Sequence, residues 1–76
     1  MPFIHIYAYA GRDEETKKKA AAAMVKAAAE AMGAPEAAFT VVYDDIAKDN
    51  WDSDVWQPLV EPARKNMYIE RGVPVK

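Results

Sequence analysis

With 76 residues, a net charge of −2 and no cysteine, the chain has room for one domain and one small core. Disulfides and thiolate zinc sites are excluded, and a single histidine, His5, cannot build an ordinary imidazole metal centre. The acidic balance gives no electrostatic footing for nucleic acid or an anionic membrane, so oligomerisation is the expected support for so small a core.

Residues 1–76 read as a single domain. Pro2 to Ala10 alternate as a strand, with Ile4, Ile6 and Ala8 on one face and Phe3, His5, Tyr7 and Tyr9 on the other. Both faces are largely apolar, so both need cover. A helix can supply one cover, and the aromatic face needs another, such as a second subunit. Gly11 punctuates the strand end.

Asp13 to Met32 read as a helix. Asp13 is a suitable N-cap, and Glu14 and Glu15 suit the positive helix start. Ala21, Met24, Val25, Ala28 and Met32 form an apolar stripe at helical spacing, and Lys17, Lys18 and Lys19 read as a solvated face. Gly33 suits the C′ position, and Pro35 prevents continuation. Ala38 to Asp44 read as a second strand, with Phe39, Val41 and Tyr43 on one face and Thr40 and Val42 on the other. A helix between two strands implies a parallel pair with a right-handed crossover. The fold class is therefore α/β (α+β), built on a β-α-β unit.

Ile46 to Asn50 read as a turn, and Asp52 to Asn66 as a short second helix capped by Asp52 or Ser53. Its anchors are Val55, Trp56, Leu59 and Val60. Pro58 is tolerable in a first turn, whereas Pro62 is expected to kink or end the helix. Met67 to Val75 read as a short strand or arm interrupted by Gly72 and Pro74. No segment pairs a basic start with a signal peptide's apolar run, and none is long and apolar enough to span a bilayer. A soluble cytoplasmic protein is the default expectation.

Conventional catalytic constellations are missing: there is no Ser-His-Asp arrangement, phosphate-binding glycine loop or metal-ligand cluster. Asp44 and Asp45 point to opposite faces of a strand and make a poor acid/base pair. The unusual feature is Met1-Pro2 at the very start of a strand. Methionine before proline is readily removed, which leaves a secondary amine fixed at the strand end. Ordinary α-amino groups titrate near pH 8, and apolar surroundings or a nearby cation lower that value toward neutrality. Such an amine suits general-base work at cellular pH.

The run from Pro2 through Gly11-Arg12, with the acidic helix start Asp13-Glu14-Glu15, resembles the 4-oxalocrotonate tautomerase family. Gly33-Ala34-Pro35 and Ile46-Ala47-Lys48 add to the resemblance, which covers residues 2 to 51. The segment from Asp49 through Trp56 to Pro62 looks like the dimeric branch of that family, which includes a phenylpyruvate tautomerase. The resemblance implies a β-α-β fold in which two protomers form a four-stranded sheet. It also implies a cofactor-free and metal-free isomerase of 2-oxo acids such as phenylpyruvate.

By that resemblance Pro2 is the general base and acid. Arg12 matches the carboxylate-binding arginine, though a solvated arginine ahead of a helix is the plainer alternative. Trp51 matches an aromatic pocket wall or is a core tryptophan. Tyr9 shares the aromatic strand face and is a candidate to line the pocket, with plain packing on that face as the alternative. Trp56 reads as core or interface, and His5 as an interface residue. One departure matters: Thr40 occupies the position of a second arginine, which argues for a smaller or aryl-substituted keto acid. Thr40, Trp51 or a residue of another subunit is left to replace that arginine. A homodimer is expected, with a homohexamer as the alternative. The rival activities are hydration or dehalogenation of an unsaturated acid, and a non-catalytic partner-binding role.

Overall fold

Apolar alternation gives two strands, β1 (Phe3–Tyr9) and β2 (Thr40–Ile46). The computed structural model describes residues 1–76, which divide into two compact units, Met1–Ile46 and Ala47–Lys76. In the first unit β1 and β2 lie parallel and are joined through the helix α1 (Glu14–Met32), as the order of elements implied. The register runs from Phe3 beside Thr40 to Tyr9 beside Ile46. The Thr40 N–H donates to the Pro2 carbonyl at 3.2 Å, and the Ala10 N–H to the Ile46 carbonyl at 2.9 Å.

Local chemistry sets both ends of α1. Asp13 Oδ1 accepts from the Thr16 N–H at 2.8 Å, and this bond lowers the Asp13 pKa from its ordinary value. Gly33 adopts φ 67°, and its N–H donates to the Ala29 carbonyl. The β2 start differs from the expected Ala38. Glu36–Ala38 close a 3₁₀ turn after Pro35, with the Ala38 and Phe39 amides bonded back to Pro35 and Glu36, so strand pairing begins at Thr40.

The helix covers one sheet face, where Ile4, Ile6, Ala8, Val41 and Tyr43 are half-buried. The seam is narrower and turned relative to the predicted stripe. Ala29 is buried and Ala20, Ala21, Val25 and Ala28 are half-buried, whereas Met24 and Met32 are 40% and 62% exposed. Alanines occur all round α1, so spacing alone did not set which of them met the sheet. Lys17 also departs from the solvated face assigned to it. Its Nζ lies 2.6 Å from Asp45 and 3.0 Å from Glu14, and 5.7 Å from the Tyr43 ring centroid. The hydrogen bond to Asp45 first, then that to Glu14, raises the Lys17 pKa above its ordinary value. The other sheet face is open in the single chain, with Phe3, Tyr9 and Val42 exposed.

The second unit starts with a 3₁₀ turn at Lys48–Asn50. The predicted helix over Asp52–Asn66 forms instead as a π-helical segment, Asp52–Val60, followed by a 3₁₀ segment, Glu61–Asn66. Pro58 and Pro62 carry no amide hydrogen, so two i→i−4 bonds are lost. The Glu61 N–H reaches Trp56 instead, a bond one residue wider than an α-helical one. No side chain caps the π-helical start; the Ser53 hydroxyl bonds to the Asn50 carbonyl at 3.3 Å. Val55 is the buried anchor, and Leu59, a predicted anchor, is 42% exposed. The C-terminal arm is a hairpin of β3 (Ile69–Glu70) and β4 (Val73–Pro74). Gly72 and Pro74 do not interrupt it. Arg71 and Gly72 both have positive φ, 50° and 80°, as a type I′ turn requires. No helix is long and apolar enough to cross a membrane.

Candidate active site

Pro2 sits immediately before β1 and is half-buried. Its carbonyl is tied to the Thr40 amide, and Thr40 pairs with Phe3. Pro2 and Thr40 therefore share one end of the sheet. Tyr9 closes β1 at the other end, and Arg12 follows the Gly11 bend, where φ is 130°. Arg12 Nη1 donates to the Tyr9 carbonyl at 3.3 Å, which holds the guanidinium at that end. The seven residues of β1 rise about 3.3 Å each, so about 20 Å separates the two ends. The sheet brings Pro2 to Thr40 and Tyr9 to Arg12, but keeps the two pairs apart. Trp51 belongs to the second unit, where its N–H donates to the Lys48 carbonyl and the residue is half-buried.

The open face carries a polar chain that strand pairing assembles. His5 Nε2–H donates to Asp44 Oδ2 at 2.6 Å. A neutral His5 then accepts from the Tyr7 hydroxyl through Nδ1 at 3.3 Å, with the two rings stacked 4.1 Å apart. Phe3 meets the His5 ring edge-on. Asp45 points to the helix side and binds Lys17, so the two adjacent aspartates do face opposite ways. The His5–Asp44 pairing went unread in the sequence because it spans the crossover and depends on register. A surface recess lined by Glu14, Lys17, Lys18, Ala21 and Tyr43 holds none of the five expected site residues.

The second unit has its own charge cluster. Arg64 bonds to Glu61 at 2.7 Å and to Glu70 at 3.2 Å, and the Trp56 Nε1–H donates to Glu61 at 2.8 Å. Arg64 first, then the Trp56 indole, holds the Glu61 carboxyl down to about 2. The (i, i+3) spacing of Glu61 and Arg64 was a readable signal for that pair; Glu70 was not, because it joins through the hairpin. Nowhere do three or more His, Asp or Glu side chains converge to hold a metal ion.

Against known proteins, residues 2–54 match the family model described as Tautomerase enzyme. The chain is 45% identical over 51 residues to a 2-hydroxymuconate tautomerase of Comamonas testosteroni, an overlap of 67% of this chain and 81% of that protein. It is 41% identical over 51 residues to a 2-hydroxymuconate tautomerase of Pseudomonas putida, with the same coverage, 67% and 81%.

Proposed function

Because this chain belongs to the tautomerase family and is a keto–enol isomerase, we propose that it acts on a 2-oxo acid such as phenylpyruvate, with the Pro2 amine carrying the proton. The position of Pro2 is the observation that carries this reading: it heads β1, anchored through its carbonyl to Thr40, and the family match begins at it. Removal of Met1 turns its nitrogen from an amide into a secondary amine. That amine takes the enol hydroxyl proton as the C=O bond forms, and returns a proton to carbon 3 as the C=C bond opens. One group thus serves as base and then as acid, and no external oxidant or cofactor is needed.

Arg12 binds the substrate carboxylate through its planar guanidinium. Its distance from Pro2 along β1 favours an arginine supplied by a second copy of the chain. Tyr9 and Trp51 shape the apolar part of the pocket. Thr40, next to Pro2, offers a hydroxyl where a second guanidinium is absent, which favours a substrate with one carboxylate. The relatives are named for 2-hydroxymuconate, so that acid is the natural comparison. Hydration chemistry is less well supported, because Asp44 is engaged by His5 and Asp45 by Lys17, toward the strand end away from Pro2.

The test is enol ketonisation of phenylpyruvate and of 2-hydroxymuconate by the mature protein and by Pro2→Ala, with an intact mass recording loss of Met1. The expected fall in kcat/KM for Pro2→Ala is about 10²- to 10⁴-fold. Equal rates for the two proteins would rule out the proline mechanism. Arg12→Ala is expected to raise KM about 10- to 100-fold for either acid, the cost of losing a charge-assisted pair.

A further inference from the structure

We propose that Lys17 is a positioning residue for Arg12: its ammonium ties the start of α1 to the end of β2 and so fixes the backbone from which the Arg12 guanidinium projects. This role rests on the reading of Arg12 as the group that binds the substrate carboxylate. Residues 11–16 are all exposed, so no packing locates them. The Arg12 side chain itself is held by one long hydrogen bond, 3.3 Å to the Tyr9 carbonyl. Lys17 is the first residue of α1 that is even half-buried. It is therefore the point at which the helix start meets the sheet.

The bonds around Arg12 close into a ring. The Ala10 N–H donates to the Ile46 carbonyl at 2.9 Å, which fixes the chain before Gly11-Arg12. Asp45, the neighbour of Ile46, accepts from Lys17 Nζ at 2.6 Å. The Lys17 N–H donates to the Asp13 carbonyl at 3.1 Å, which fixes the chain after Arg12. Only the Lys17–Asp45 link in this ring is made by two side chains, so substitution opens it without touching the backbone. The pair is partly exposed, 17% for Lys17 and 37% for Asp45, and such pairs add little to stability, so the variants fold. Lys17 also lies 3.0 Å from Glu14, two residues from Arg12. Its loss thus leaves two carboxylates without their cation near a group that must receive an anion. Position and charge are separable. Asp45→Asn breaks the ring while removing a negative charge, so charge alone would lower KM and lost positioning would raise it.

The test is steady-state ketonisation of the phenylpyruvate enol by wild type, Lys17→Met, Lys17→Arg and Asp45→Asn, each also made in the Arg12→Ala background. Lys17→Met and Asp45→Asn are each expected to raise KM about threefold to tenfold, with kcat within about twofold of wild type. Lys17→Arg, which keeps the cation and the reach to Asp45, is expected to restore the wild-type KM to within about twofold. In the Arg12→Ala background neither substitution adds a further rise, because there is no guanidinium left to position. Circular dichroism checks folding, and Asp45→Asn carries the test if Lys17→Met does not fold. An unchanged or lowered KM in Asp45→Asn would overturn the inference, as would an equal rise in the Arg12→Ala background. A fall in kcat at constant KM would do the same. If Arg12→Ala raises KM while Asp45→Asn does not, only the role of Lys17 is lost. If Arg12→Ala itself keeps the wild-type KM, the reading of Arg12 falls and this role falls with it.

Discussion

Gly33 leaves α1 with φ 67°, a conformation that residues with a Cβ adopt at a cost. No atom lies within 4 Å of where a Cβ would stand, so Gly33→Ala feels the backbone cost alone. It is expected to lose about 1 kcal/mol in thermal denaturation, and Gly33→Asn less, since asparagine tolerates the left-handed region. Glu61 makes an electrostatic prediction. Its folded pKa, about 2, lies below its ordinary 4.5 because Arg64 and Trp56 bind the ionised form. Its contribution is therefore complete above pH 4.5 and is lost as pH falls toward 2. The Trp56 indole N–H resonance is expected to shift over that window, and Glu61→Gln to remove the transition. A resonance unchanged down to pH 2 would show that the bond does not hold the ring.

At the scale of elements, the two buried residues sit in different settings. Ala29, 6% exposed, is the one buried residue of α1. Ala29→Leu is expected to cost about 1–3 kcal/mol in urea unfolding, from overpacking. Val55 anchors the π-helical segment at 3% exposure. Val55→Ala removes two methyl groups and leaves a gap, so a loss of about 2 kcal/mol is expected. Much of the element order was legible because its signals are local: Asp13 and Gly33 frame α1, and alternation marks β1. The π-helical turn was not, because a helical period of apolar residues is the same whether the proline-broken bonds are remade at i−4 or at i−5.

For the molecule as a whole, the separation of Pro2 from Arg12 along β1 predicts complementation. Assayed well below KM, Pro2→Ala and Arg12→Ala are each expected to keep about a tenth of wild-type activity or less. If every site takes Pro2 from one copy and Arg12 from another, an equimolar mixture refolded together regains about one quarter of wild-type activity in a two-fold assembly. Half of the pairs are then mixed, and one of the two sites in each is intact. A mixture no more active than its components would place both residues of a site in the same chain.

From the sequence alone came the β-α-β order, the parallel pairing, the caps of α1 and the proline at the head of β1. Each rests on periodicity or on the conformational demands of single residues, which short stretches of chain carry by themselves. The tertiary structure decided the phase of the α1 seam, the union of His5 with Asp44, and the capture of Lys17 by Asp45. These depend on register and on which small side chains yield room for a neighbouring backbone, and no local pattern encodes them.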